Sequence, residues 1–120
     1  MKLNAERRAN IVILQPVGRI DHQTADAFSI ALAPYLETCN ASGDRLLFDL
    51  SALDYISSAG LRVLMIATKR TKPVGGQLAV AAPQDMVREV LEITRFDLVF
   101  PVYASVADGV RAWSGDAGVG

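Results

Sequence analysis

The chain has 120 residues, with 12 lysines and arginines against 13 aspartates and glutamates, one histidine and one cysteine. That is the size of one domain, large enough to bury a core without disulfides or metal, and 51% hydrophobic residues exclude general disorder. A formal charge of -1 gives no case for nucleic acid, and Cys39 with His22 is too little for the usual metal sites, so no cofactor is expected. No apolar run approaches the roughly 18 residues of a membrane span. Met1 to Asn10 are polar where a secretory leader would be apolar, so the expected location is the cytoplasm.

In chain order, Lys2 to Arg8 reads as a polar partner strand. Ile11-Val12-Ile13-Leu14 is a continuous β-branched run, ending in Gln15-Pro16-Val17-Gly18, where Pro16 bends or releases the ladder. Asp21 is placed to N-cap a first helix carrying Ala25, Phe28, Leu32, Tyr35 and Leu36 at helical spacing. Leu46 to Leu50 is a second strand. A loop follows, and a second helix runs from Ser58 to about Lys72, before Pro73. Gly75-Gly76 lead into a third strand, Leu78 to Ala81. A third helix opens with Pro83 near its first turn and carries Met86, Val87, Val90 and Leu91 on one face. Leu98 to Val102 is a fourth strand. Ser105 begins a fourth helix, with Asp108 at capping-box spacing and Val106, Val110 and Trp113 on the inner face. Residues 114–120 hold three glycines and read as a disordered tail, leaving 1–113 as the domain. Runs apolar at every position indicate buried, largely parallel strands. Their alternation with helices indicates an α/β domain with a central sheet.

The informative stretch is Asp49 to Leu64. A buried strand ends near Leu50, a loop follows, and a helix begins at Ser57 or Ser58. The space beyond the carboxyl ends of such strands commonly holds ligands and modifications. A helix N-terminus there tolerates a phosphate, so a hydroxyl at its start is a sensible phosphoacceptor; serine is equally a favoured cap. From Leu61 to Ala67 only Arg62 is polar, so the helix is either covered on two sides or half exposed for a partner, with Leu61 and Met65 as docking surface. Catalysis is not expected. Ser58-Ala59-Gly60 is half of a nucleophile elbow, but Ile56 stands where the first glycine belongs. The one histidine, His22, cannot easily be oriented by the adjacent Asp21. Gly18-Arg19-Ile20-Asp21 and Gly75-Gly76-Gln77 match no phosphate-binding or dinucleotide motif. Lys69, Arg70 and Lys72 complement a helix C-terminus. His22 reads as an exposed first-turn residue and Cys39 as a small buried thiol.

The stretch Asp49 to Leu64 resembles the signature of the STAS domain, as found in anti-sigma factor antagonists: a strand, Asp-Leu-Ser, then a Ser-Gly-Leu segment opening a helix. Gly18-Arg19-Ile20-Asp21 with Thr24-Ala25 resembles the start of the family's first helix. Gly75-Gly76-Gln77-Leu78, and later Val90-Leu91 with Phe100-Pro101-Val102-Tyr103 and Ser105, resemble its remaining segments. The resemblance spans about residues 8–113. It implies a small mixed, mostly parallel sheet with one antiparallel edge strand, flanked by about four helices.

It also implies partner switching. An unphosphorylated antagonist binds an anti-sigma factor that is a serine kinase of GHKL type and thereby frees the sigma factor; phosphorylation turns the antagonist off and a PP2C-type phosphatase restores it. The phosphoacceptor matches Ser58. Gly60 and Leu61 match the pattern, as do Asp21 and Asp49. Ser57 stands where the family has an aspartate and Ala59 where it has a second serine, which keeps Ser57 as a second candidate acceptor. The expected partner surface comprises Asp21, Asp54, Ser57, Ala59, Gly60, Leu61, Arg62 and Met65, on a monomer or weak dimer with no nucleic-acid or membrane partner. The alternative is a STAS interaction module that is not phosphorylated, a scaffold or lipid-transport accessory subunit.

Overall fold

A computed structural model describes the backbone of residues 1–119 and the side chains of residues 1–113. The chain opens with β1 (Lys2–Arg8) and β2 (Ile11–Ile20), antiparallel from Lys2↔Val17 to Arg8↔Ile11. Next come α1 (Ala25–Glu37), β3 (Arg45–Asp49), β4 (Leu53–Ile56) and α2 (Ser58–Thr71). The rest is β5 (Leu78–Ala81), α3 (Asp85–Ile93), β6 (Val102–Tyr103) and α4 (Val106–Val119). The six-stranded sheet has the order β1-β2-β3-β5-β6, with β4 paired to β2 off that path. Every pairing except β1–β2 is parallel. This is the small, mostly parallel sheet with one antiparallel edge and four flanking helices that the resemblance implies.

The apolar runs make sense once both faces of the sheet are covered. Val12, Leu14, Leu46, Phe48 and Val80 share one core with Phe28 and Leu32 of α1, Leu64 of α2, and Val87 and Leu91 of α3. The alternate residues Ile11, Ile13, Leu47, Ala79 and Ala81 form a second cluster against Val106, Val110 and Trp113 of α4. A strand buried on both faces needs apolar side chains at both parities. At the head of α4, the Ser105 hydroxyl accepts the Asp108 N–H at 3.0 Å, which is the cap read from the spacing. Cys39 is buried, and burial pushes its thiol pKa up; His22 is exposed.

Four expectations need correction. First, β2 does not stop near Pro16 but runs on to Ile20. Its pairing with β3 ends at Leu14↔Phe48 and its pairing with β4 begins at Gly18↔Leu53. The Asn10 carbonyl faces β3 and the Gly18 N–H faces the β4 side, so the even positions of β2 point to that edge. Pro16, with no N–H to offer, falls in the gap between the two ladders. Second, residues 53–56, read as loop, are the strand β4, held against that second half of β2. Third, the expected strand from Leu98 to Val102 shrinks to β6, the pair Val102–Tyr103. A 3-10 turn over Phe96–Leu98 replaces its start, entered through Arg95 at φ 63, and Pro101 delays the ladder. Fourth, Met86 leaves the inner face of α3: it is 58% exposed, while Val87 and Leu91 are buried. Helix α3 begins at Asp85, two residues after Pro83, with Gln84 as its N-cap. The α4 backbone runs to Val119 through part of the expected tail, 114–120; the side chains of that tail lie outside the described residues.

One ion pair ties the edge strand to the body. The Arg7 guanidinium donates both Nη groups to Asp44, at 2.6 and 3.1 Å, and the Thr38 hydroxyl adds a third bond at 3.0 Å. The Arg7 bonds, against the opposing effect of burial, hold the Asp44 carboxyl below the usual carboxylate range. Its stabilisation is therefore present above the unfolded value of about 3.9 and is lost as pH falls through the lower folded value. Asp44→Asn should melt below wild type at pH 7, and the gap should close as pH drops beneath about 4. Thermal unfolding at pH 7 and pH 2.5 checks this; a pH-independent gap would assign the effect to packing.

Candidate functional site

The site grows from two neighbouring strand ends. Strand β2 finishes at Ile20 and β4 at Ile56, and the Ser57 N–H donates to the Ile20 carbonyl at 2.8 Å. From these ends the chain enters α1 through the turn 21–24 and α2 directly, and the two helices pack together. Their first turns thus lie beyond the carboxyl edge of the sheet, where α/β folds place their sites.

Ser57 is the N-cap of α2. Its backbone is extended, at φ -94 and ψ 176, and its hydroxyl accepts the Gly60 N–H at 3.4 Å. Ser58 is therefore the first helical residue. It is exposed, and its hydroxyl makes no hydrogen bond among the described residues. The two serines have different duties, so Ser57→Ala should cost about 0.5–1 kcal/mol, the low end for a cap because the bond is long. Ser58→Ala should leave the melting temperature unchanged. Equal melts for the two variants would deny Ser57 its capping role.

Gly60 lets α2 start this close to the strands. A Cβ there would sit 2.7 Å from Ile56 Cγ1 and 2.8 Å from Ile20 Cγ2. Asp21 organises the other helix entrance, but not as the N-cap of a helix that begins at once: α1 starts at Ala25, behind Thr24. The Asp21 carboxylate accepts N–H groups from Gln23 at 2.9 Å and Thr24 at 3.1 Å, fastening the intervening turn. The Gln23 bond is the first cause that lowers its pKa; partial burial opposes, and Thr24 and Arg19 add to the lowering. Arg19 stands 3.7 Å from that carboxylate and stacks over Tyr55 of β4, 4.6 Å from the ring centroid.

Between the first turns of α1 and α2 lies an open groove of about 580 Å³. Its polar lining is His22, Asp26 and Ser29 on one side and Ser58 and Arg62 on the other, with Val63 and Ile66 among its apolar lining. Ser58, Arg62 and Ile66 are four residues apart, so they share one face of α2. His22 lines the groove with Ser58 but makes no hydrogen bond to it among the described residues.

Of the residues read as a partner surface, Ala59 and Arg62 come together at this groove with Ser58, the candidate phosphoacceptor. Asp21 holds the turn beside it. Leu61 does not join them. It is 5% exposed and belongs to the core, because α2 turns Gly60, Leu61, Leu64, Ala67 and Thr71 inward. Gly60 is likewise beneath the surface, and Met65 is half-buried and off the groove. Asp54 is exposed on β4 and points elsewhere, with the side chain of Gln84, the N-cap of α3, 3.4 Å away. The apolar part of the surface is Ile66, 54% exposed, with the half-buried Val63. The whole α1 wall went unread. Its signal was available in the spacing of Ser58, Arg62 and Ile66, but not the identity of the helix opposite.

Among the described residues no group of three or more His, Cys, Asp or Glu is placed to hold a metal ion, and no helix is long and apolar enough to cross a membrane. The STAS domain model matches residues 2–109, from β1 into α4. The chain is 36% identical over 103 residues to BtrV of Bordetella bronchiseptica, a protein with a provisional anti-sigma factor antagonist name; 85% of each chain is covered. It is 21% identical to the anti-sigma F factor antagonist of Paenibacillus polymyxa, over 86% of each. The crystal structure of an anti-sigma factor antagonist from Mycobacterium paratuberculosis superposes with a TM-score of 0.80 at 27% identity, covering 92% of both. Unphosphorylated SpoIIAA shares the fold at 14% identity, with a TM-score of 0.76 over 95% of this chain and 97% of that one. With its sheet order, its β4–α2 junction and a family match over nearly its whole length, the chain belongs to the STAS domain family.

Proposed function

We propose that this chain is an anti-sigma factor antagonist of the cytoplasm that binds a serine kinase of GHKL type and is switched off when that kinase phosphorylates Ser58. It acts by binding, not by catalysis: occupying the kinase frees the sigma factor, and a PP2C-type phosphatase returns the antagonist to its active form. The observation that carries the reading is the hydroxyl of Ser58, exposed and without a hydrogen bond among the described residues, at the first residue of α2 beside a groove with part-apolar lining. The neighbouring Ser57 hydroxyl is engaged as a cap acceptor, which favours Ser58 as the phosphoacceptor. The relatives' names support the antagonist role, and SpoIIAA, of the same fold, has structures in both unphosphorylated and phosphorylated forms.

The physical mechanism is a charge placed inside a contact. A phosphate on Ser58 adds roughly -1.5 to -2 charges at pH 7. The first turn of a helix accommodates it, since N–H groups there are free and the dipole is positive. The fold is thus preserved while the rim of the groove becomes anionic. Ala59 and Arg62 lie on the contact surface, Ile66 and Val63 are its apolar part, Asp21 and Ser57 hold the two helix entrances beside it, and Gly60 and Leu61 are the support beneath. Asp54 and Met65 lie off the groove and stand outside this contact.

The test is a paired capture from lysate of the native host, with wild type and Ser58→Glu as baits and bound proteins identified by mass spectrometry. A GHKL-type kinase on wild type alone, with phosphate mapped to Ser58 after incubation with it and ATP, supports the switch. The same non-kinase proteins on both baits would overturn it in favour of a STAS scaffold.

A further inference from the structure

Arg62 is a cation with no partner of its own among the described residues. It lines the groove with Ser58, and no ion pair or side-chain hydrogen bond engages it among the described residues. Asp26, across the groove, is the carboxylate nearest to hand by lining, yet the two make no ion pair. Asp21 does not compete for Arg62, because its carboxylate is taken up by the N–H groups of Gln23 and Thr24 and by Arg19. On the β4 side, Asp54 faces Gln84.

We infer that Arg62 is the phosphate-reading residue of the switch: when Ser58 is phosphorylated, the Arg62 guanidinium pairs with the phosphate. This rests on the reading of Ser58 as the modified residue. Residues four apart on a helix are surface neighbours, with Cβ atoms roughly 5–6 Å apart. The order is the favourable one, with the anion N-terminal to the cation. The planar guanidinium offers two parallel donors to phosphate oxygens, which a lysine cannot. Asp26 opposes the phosphate from the far wall, so the pairing with Arg62 offsets a repulsion that is already built in. The clamp also gives the modification a second effect. It adds negative charge and at the same time withdraws Arg62 from any acidic group that a partner brings to the groove.

The test installs phosphoserine directly at position 58 by an expanded genetic code, so it needs no kinase. The second ionisation of the phosphate is followed by phosphorus NMR at low salt in the native sequence, in Arg62→Lys and in Arg62→Gln. The N-terminal amides of α2 act equally in all three, so the differences isolate Arg62. We expect Arg62→Gln to raise the apparent pKa by about 0.3–0.7 unit, from an exposed helix ion pair acting on a dianion. Arg62→Lys should fall between, and 0.5 M salt should shrink the gap. The Arg62 Nε–H signal should shift on phosphorylation. Identical titrations for native sequence and Arg62→Gln, with an unmoved Nε–H signal, would overturn the inference. Arg62 is exposed, and equal melting of the unphosphorylated proteins confirms that folding is not the variable. If the kinase never modifies Ser58 but the titrations differ, the switch reading fails while the Arg62–phosphate pairing stands.

Discussion

Ser58→Glu should bind the GHKL-type kinase at least about 100-fold more weakly than wild type, while Ser58→Ala binds within about threefold of it. A charge enclosed in a contact without a full partner costs about 3–5 kcal/mol; the surface pair with Arg62 offsets only about 0.3–0.5 kcal/mol of that, and each 1.4 kcal/mol is a factor of ten in affinity. Ser58 stands on the rim of the groove, so the carboxylate is desolvated only when the partner closes over it. Alanine removes a hydroxyl that has no hydrogen-bond partner among the described residues, so little is lost unless the kinase itself bonds to it. Folding offers no competing explanation. An acidic residue in the first turn of a helix is stabilising by about 0.3–1 kcal/mol, so Ser58→Glu should melt at or slightly above the wild-type temperature. Calorimetric titration of the three proteins with purified kinase, alongside thermal melts, separates the two effects. Equal affinity for wild type and Ser58→Glu, both folded, would refute the switch.

How far the sequence carries can be seen in particular residues. The run Leu46-Leu47-Phe48 is apolar at both parities, and its even members and Leu47 do enter two different cores. That information is local, and it suffices for β3 and β5 at the centre of the sheet. Strand β4 is different. Leu53-Asp54-Tyr55-Ile56 is four residues long, and nothing within it outweighs a loop reading. It is a strand because the second half of β2 needs a neighbour, and Pro16 hides that half from a local reading. The local rule for proline was sound, but the gap between two ladders that accommodates Pro16 exists only in the assembled sheet. Helix α2 shows the same limit. Its sequence from Leu61 to Ala67 is nearly all apolar, so either face suited the core. The close approach at Gly60 settles the rotation. It sends Leu61 inward and leaves Ser58, Arg62 and Ile66 facing α1. The chemistry-bearing stretch was therefore legible as a segment. The groove it belongs to was not, because half of its wall comes from a helix that sequence spacing cannot orient.

Gly60→Ala is the substitution that should most disturb this arrangement without adding any charge. The new methyl would stand 2.7 Å from Ile56 Cγ1 and 2.8 Å from Ile20 Cγ2, distances at which something must move. Neither contact is the far end of a flexible chain. Both atoms lie on β-branched side chains that are 2% and 1% exposed, with little rotamer freedom to yield. Overpacking of this kind costs about 1–3 kcal/mol. The gain in helix propensity from glycine to alanine, about 1 kcal/mol in a helix interior, is smaller in the first turn and does not offset it. The net expectation is a loss of about 1–2 kcal/mol. The first turn of α2 should also lift from the strand ends, carrying Ser58 and Arg62 out of register with α1. Kinase affinity should fall in a protein that remains folded. Gly109, in α4, supplies the contrast: there a Cβ would meet the methyl ends of Leu47 at 3.0 Å, a softer contact, and the substitution should stay within about 1 kcal/mol of wild type. Urea unfolding and kinase titration of both variants decide the matter. If Gly60→Ala matches wild type in stability and affinity, the close approach of α2 to Ile20 and Ile56 does not set the geometry of the groove.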